Sequence, residues 1–188
     1  MKLGRGSCLL LVDIQRDLCS GGAFPVPDGD AVVQVLNRWI EQARAEGVLV
    51  VASRDWHPAG HVSFEESGGP WPPHCLQDTG GAAFPADLEL PADAIIISKG
   101  TQTDRDTYSA FDANGLAERL QAAGIRRLWV GGLALDYCVL ATVLDGLRMG
   151  FEVHLIRAAT RAMDVRPGDG EAALAQMIEA GAVIEEGA

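Results

Sequence analysis

Short apolar runs alternate along the chain with longer stretches in which apolar residues recur at helical spacing. The first run, residues 8–12 (CLLLV), leads straight into Asp13. A run this short and continuous suits a strand buried on both faces. Residues 20–30 are rich in Gly and Pro and predict a loop. Residues 31–46 then place Val32, Val35, Leu36, Trp39, Ile40 and Ala43 on one helical stripe, and Gly47 stops it. The alternation continues with strands at 48–52 and 94–97, a helix at 113–123 ended by Gly124, and a strand at 128–130 running into a Gly131–Gly132 turn. A helix at 138–149, a strand at 153–156, a helix at 170–180 and a short candidate sixth strand at 182–184 complete it.

Buried strands alternating with amphipathic helices predict an α/β fold: a parallel sheet covered on both faces, joined by right-handed crossovers. Ligands of such sheets gather outside the carboxyl ends of the strands. Asp13 ends the first strand, Asp55 and His57 follow the second, Lys99 lies two residues past the third, and Cys138 opens the helix after the fourth. Four consecutive strands thus deliver reactive side chains to one edge.

Residues 57–91 carry no clear periodicity, and a loop that long in a compact domain needs a function or a packing partner. The stretch 54–74 (RDWHPAGHVSFEESGGPWPPH) holds three of the four histidines, Asp55 and four prolines. Pro58 and Gly60 between His57 and His61 point to a rigid loop rather than one helix face. Asp55, His57, His61 and His74 offer one carboxylate and three imidazoles, a set suited to zinc, iron or manganese. The plainer alternative is a group of loop histidines bonded to backbone, with Asp55 capping a turn. Trp56 and Trp71 are suited to stacking on a flat ligand or to covering core.

Composition narrows the classes. A chain of 188 residues with no linker-like segment predicts a single domain over 1–188. Fifteen basic against 26 acidic residues, a formal charge of −11, disfavour a nucleic-acid partner. No stretch has the length and apolarity of a bilayer span and no secretory signal is legible, so a cytoplasmic protein with no membrane partner is expected. The four cysteines are dispersed without CxxC spacing, which predicts reduced thiols, one of them reactive. Cys138, in a first helical turn, is the candidate nucleophile; its alternative is a small buried hydrophobe. Asp13 needs a partner wherever its strand ends, either as a cap or ion pair or as a general base and acid. Lys99 is either solvated or close enough to orient Asp13 and favour anions on Cys138.

Five segments, VDIQRDLCSGG, RDWHPAGHVSF, WPPHC, SKGTQTDRDTYSAF and GGLALDYCV, resemble, in order, motifs of the nicotinamidase/pyrazinamidase branch of the isochorismatase-like cysteine hydrolases. The resemblance spans nearly the whole chain. It implies a Rossmann-like three-layer fold with a six-stranded parallel sheet, and a catalytic set of Asp13, Lys99 and Cys138. It also implies one divalent metal ion, zinc first with iron or manganese as alternatives, on Asp55, His57 and His74, with His61 as a fourth ligand in some relatives. A cis peptide at Leu133–Ala134 is implied beside an oxyanion hole built from the amides of Ala134 and Cys138. Leu18 stands where relatives often have Phe, leaving Trp71 and Tyr108 as candidates for the wall against the substrate ring.

The expected function is hydrolysis of nicotinamide, with pyrazinamide as a second substrate, in NAD salvage. The expected partner is a small aromatic amide, and a homo-oligomer is compatible with the sequence. The rivals are a cysteine amidohydrolase of the same fold acting on another small amide, an isochorismatase, a hydrolase using metal-bound water with Cys138 structural, and a non-catalytic metal-binding module.

Overall fold

The computed structural model describes residues 3–112 and 114–186. Six strands form one all-parallel sheet: β1 (Ser7–Val12), β2 (Leu49–Asp55), β3 (Ile95–Lys99), β4 (Arg127–Leu133), β5 (Glu152–Arg161) and β6 (Val183–Glu185), in the order β3-β2-β1-β4-β5-β6. The order reverses between β1 and β4, so the ends of these central strands open a crevice. All six residues of β1 are buried. Its alternate side chains face opposite layers. Leu9 and Leu11 join Val32, Leu36, Trp39, Ile40 and Ala43 of helix α1 (Ala31–Ala45) on one side. Cys8, Leu10 and Val12 join the residues of α2 (Leu116–Ala122), α3 (Leu140–Arg148) and α4 (Asp169–Glu179) on the other. The expected three layers are present.

Five local expectations differ from the structure. Lys99 is the last residue of β3 rather than two residues beyond it, because the ladder with β2 continues through Asp55↔Lys99 and the Trp56 amide still donates to the Lys99 carbonyl at 2.9 Å. Gly131 and Gly132 lie inside β4, which runs to Leu133. They are glycines because backbones close in: a Cβ on Gly132, at φ +145°, would lie 2.1 Å from the Val12 carbonyl oxygen. The segment around Cys138 is a π-helical turn, Leu135–Val139, with the α-helix starting only at Leu140. Helix α2 begins at Leu116; the expected start at Ala113 lies outside the described residues. β5 also runs on to Arg161, past the apolar run that marked it. Among the described residues no helix is long and apolar enough to cross a membrane.

Candidate active site

The crevice is built on Asp13. It follows β1 directly in a left-handed conformation, φ +50°, and is fully buried. A non-glycine residue held there marks a place where surrounding structure over-determines the backbone. Its amide donates to the Ser53 carbonyl at 3.2 Å, and the Ser53 hydroxyl donates to its Oδ1 at 2.7 Å. The Lys99 ammonium lies 2.9 Å from Asp13 Oδ2 and 2.5 Å from Asp55 Oδ1, and it donates to Cys138 Sγ at 3.4 Å. One cation at the end of β3 therefore joins residues from the ends of β1 and β2 and from the turn after β4.

This grouping sets the protonation of each member. Burial raises the proton affinity of Asp13, outweighing Lys99 beside it. Burial pushes Asp55 the same way, but Lys99 and His57 hold it below the usual carboxylate range. Burial alone would lower Lys99, whereas Asp13 and Asp55 raise it well above the ordinary lysine value. Burial holds the Cys138 thiol well above its usual value, and Asp13 and Asp55 push it the same way, together outweighing Lys99, which lowers it. One positive and two negative charges already leave the pocket anionic, so a thiolate forms most easily when its proton passes to Asp13, keeping the net charge constant.

Beside this group stand the histidines. The His57 Nδ1–H donates to the Gly100 carbonyl at 3.1 Å and the His74 Nδ1–H to the Pro72 carbonyl at 2.8 Å. Each ring keeps its Nε2 lone pair, the usual arrangement of a metal-binding histidine. His57 Nε2 lies 3.7 Å from Asp55 Oδ2. One donor atom from each of Asp55, His57 and His74 lies within 4.8 Å of the others, all three residues buried. This donor set suits a divalent cation. Asp13, Asp55 and Cys138 are equally close together, but the Lys99 ammonium already occupies the cation's place among them.

His61 differs from the other two. Its ring stacks 4.2 Å from His57, yet Nε2–H donates to the Arg105 carbonyl at 3.0 Å and Nδ1 accepts from the Ser63 hydroxyl at 2.7 Å. Both nitrogens are engaged, so His61 offers no lone pair here and stands outside the triple of Asp55, His57 and His74.

A cavity open to solvent connects the two groups; Cys138, Asp55, His57 and His74 line it with Leu18, Trp71, Tyr108 and Ala134. Leu18, Trp71 and Tyr108 are thus on its wall. The Trp71 indole N–H donates to the Tyr108 hydroxyl at 3.1 Å. The Leu133–Ala134 peptide is cis, and the Leu133 side chain is buried in the core.

Sequence reasoning missed several residues that build this site. Gln15, fully buried, accepts from the Asp55 amide and donates to the Asp55 carbonyl, both at 2.7 Å, fixing the backbone of Asp55. Ser53 reads as an ordinary strand residue until β2 is set beside β1. Asp17 accepts from the Cys75 amide at 2.7 Å and from the Ala23 amide at 3.2 Å, tying three loops together. Phe24 and Tyr137 also line the cavity. The only signal for Gln15 and Asp17 was their place next to Asp13 in the first motif.

Comparison with known proteins agrees with this geometry. The model of the isochorismatase domain matches residues 7–188. The chain is 40% identical to the nicotinamidase of Escherichia coli, over 94% of this chain and 92% of that protein. Pyrazinamidase of Pyrococcus horikoshii, solved in complex with zinc, superposes with a TM-score of 0.92 at 47% identity, covering 96% of this chain and 98% of the other. PnC1 from L. infantum, solved in complex with nicotinate, superposes with a TM-score of 0.87 at 36% identity, covering 98% and 96%. With nearly its whole length matched by that model, the chain belongs to the isochorismatase domain family.

Proposed function

We propose that this chain, as a single domain over 1–188, is a nicotinamidase that hydrolyses nicotinamide to nicotinate and ammonia through a thioester on Cys138, and that it also accepts pyrazinamide. The observation carrying the proposal is the Lys99 ammonium, within reach of Asp13, Asp55 and Cys138 at once, beside an aromatic-lined cavity with a metal-binding triple. The curated relatives named nicotinamidase support the substrate.

Asp55, His57 and His74 would hold one divalent ion, with zinc favoured by the zinc complex of the Pyrococcus horikoshii relative. An ion bound there supplies Lewis acidity that orients the ring and draws electron density from the carboxamide. The remaining steps belong to the protein's own side chains. Asp13 takes the Cys138 thiol proton as sulfur attacks the amide carbon. The resulting oxyanion accepts hydrogen bonds from the amides of Ala134 and Cys138; the latter lies in a first helical turn, whose N–H groups lack intrahelical acceptors. Asp13 then returns its proton to the departing nitrogen, and ammonia leaves. Water attacks the thioester and gives a proton to Asp13, which restores the thiol as nicotinate is released. Lys99 stays charged throughout and offsets negative charge on Asp13 and sulfur.

The four free, buried cysteines fit the reducing cytoplasm. The deciding experiment is ammonia release from nicotinamide, pyrazinamide and a panel of small aliphatic amides by the metal-loaded protein. Turnover of the aromatic amides above the aliphatic ones is expected; turnover of none of them, or of aliphatic amides alone, overturns the assignment.

A further inference from the structure

The cavity wall has an irregularity. Leu18, buried beside the site, gives an aliphatic surface where the ring of an aromatic amide calls for a flat one. Six residues later, Phe24 lines the same cavity and is only partly buried. Its ring centroid lies 5.2 Å from that of Trp71 and 5.0 Å from that of His74, tilted by 42° and 47°. Trp71 in turn meets Tyr137 edge-on at 5.2 Å, and Tyr137 lies 5.9 Å from Tyr108. Four aromatic side chains therefore run in sequence along the cavity, beginning against a metal-binding histidine.

Phe24 is held there by its backbone. Its amide donates to the Asp17 carbonyl at 2.9 Å, and the Val26 amide donates to the Leu18 carbonyl at 3.1 Å, folding the loop back over the turn that carries Leu18. Gly22 permits this approach: a Cβ there would lie 2.3 Å from the Arg16 carbonyl oxygen. The Asp17 carboxylate bridges the Ala23 amide to the Cys75 amide, so the loop bearing Phe24 is locked to the residue after His74. A partly buried phenylalanine fixed this tightly, packed against the core yet lining the cavity, is placed to meet a ligand.

We infer that Phe24 is the residue that packs on the substrate ring in this protein, taking over from position 18 the aromatic face that Leu18 cannot supply. The inference rests on the aromatic-amide reading above. Positions 18 and 24 then act as a pair: one small aliphatic and one aromatic side chain share the wall, and exchanging them conserves its volume.

The test is a cycle of F24L, L18F and L18F/F24L in the metal-loaded enzyme, read by nicotinamide kinetics and by nicotinate binding through tryptophan fluorescence. F24L is expected to raise KM, and to weaken nicotinate binding, by about 3- to 10-fold, more than it lowers kcat. L18F/F24L is expected to regain most of that loss. L18F alone crowds two aromatics into one wall and also weakens binding. F24L with wild-type KM and nicotinate affinity overturns the inference, as does an F24L loss that L18F does not repair. A wild-type protein that binds nicotinate but releases no ammonia would defeat the hydrolase reading, while the binding arm still judges Phe24.

Discussion

At the scale of single residues, the site's chemistry follows from charge count. Asp13 and Asp55 share one ammonium; burial raises the proton affinity of both, and the His57 ring beside Asp55 leaves Asp13 as the one that holds a proton more readily. Because Asp13 must be ionised to accept the thiol proton, and its proton affinity is raised, the acid limb of kcat/KM should lie above the ordinary aspartate value of 3.8, with activity present above it and lost as pH falls through it. The Ser53 hydroxyl stabilises the ionised form, so Ser53→Ala should move that limb to higher pH. A pH–rate profile of the two proteins checks both statements; an unmoved limb would assign it to another group. Removing the cation is costlier. Lys99→Met leaves two carboxylates without their partner, about 3–5 kcal/mol by the usual penalty for one-sided loss of a buried pair. Those carboxylates would then bind protons more tightly in the folded state, so the deficit, read by denaturant unfolding, should shrink as pH falls.

At the scale of elements, the site depends on how closely β4 approaches β1. Val12 pairs with Gly132, and the missing Cβ lets β4 continue to Leu133 before the π-helical turn presents Cys138. Gly132→Ala should therefore cost at least about 2 kcal/mol, seen as a lower denaturant midpoint, whereas Gly4→Ala, with nothing within 4 Å of its new Cβ, should stay within about 0.5 kcal/mol. Equal midpoints for the two variants would contradict the close-approach argument. Here too the sequence was read incompletely. A glycine pair after three apolar residues resembles a turn, and only the neighbouring strand reveals it as a contact. The five main strands and four helices were visible because each buries a continuous run or a helical stripe. The reactive Asp13, Asp55, Lys99 and Cys138 were visible because strand ends share an edge. Ser53 and Gln15 were not, since their partners lie 40 residues away and nothing in local pattern encodes that distance. His61 carried the same signal as His57 and His74; the difference lies in Ser63 and Arg105, which occupy its nitrogens.

At the scale of the whole molecule, the sheet brings two groups of side chains into one crevice: β1, β3 and the turn after β4 carry Asp13, Lys99 and Cys138, and β2 with its loop carries Asp55, His57 and His74. The long segment after β2 is held by Gln77 and Thr79 hydrogen bonds, by bridges at His57↔Leu76 and Phe64↔Trp71, and by Asp17. A cation that binds the folded triple stabilises the fold by mass action, so adding zinc to metal-depleted protein should raise Tm in a concentration-dependent way, and Asp55→Ala should remove that response. A zinc-independent Tm in the wild type would count against the triple. The central claim is that sulfur, not a metal-activated water, attacks the amide. Its most direct test is to quench the metal-loaded enzyme with acid during turnover of nicotinamide and to map the adduct by peptide mass spectrometry. The account predicts a nicotinoyl thioester on the peptide bearing Cys138, absent in Cys138→Ala, which should bind metal normally and lose activity by roughly 10⁴-fold or more. Unmodified Cys138 throughout turnover, together with a Cys138→Ala variant that still releases ammonia at a comparable rate, would contradict it.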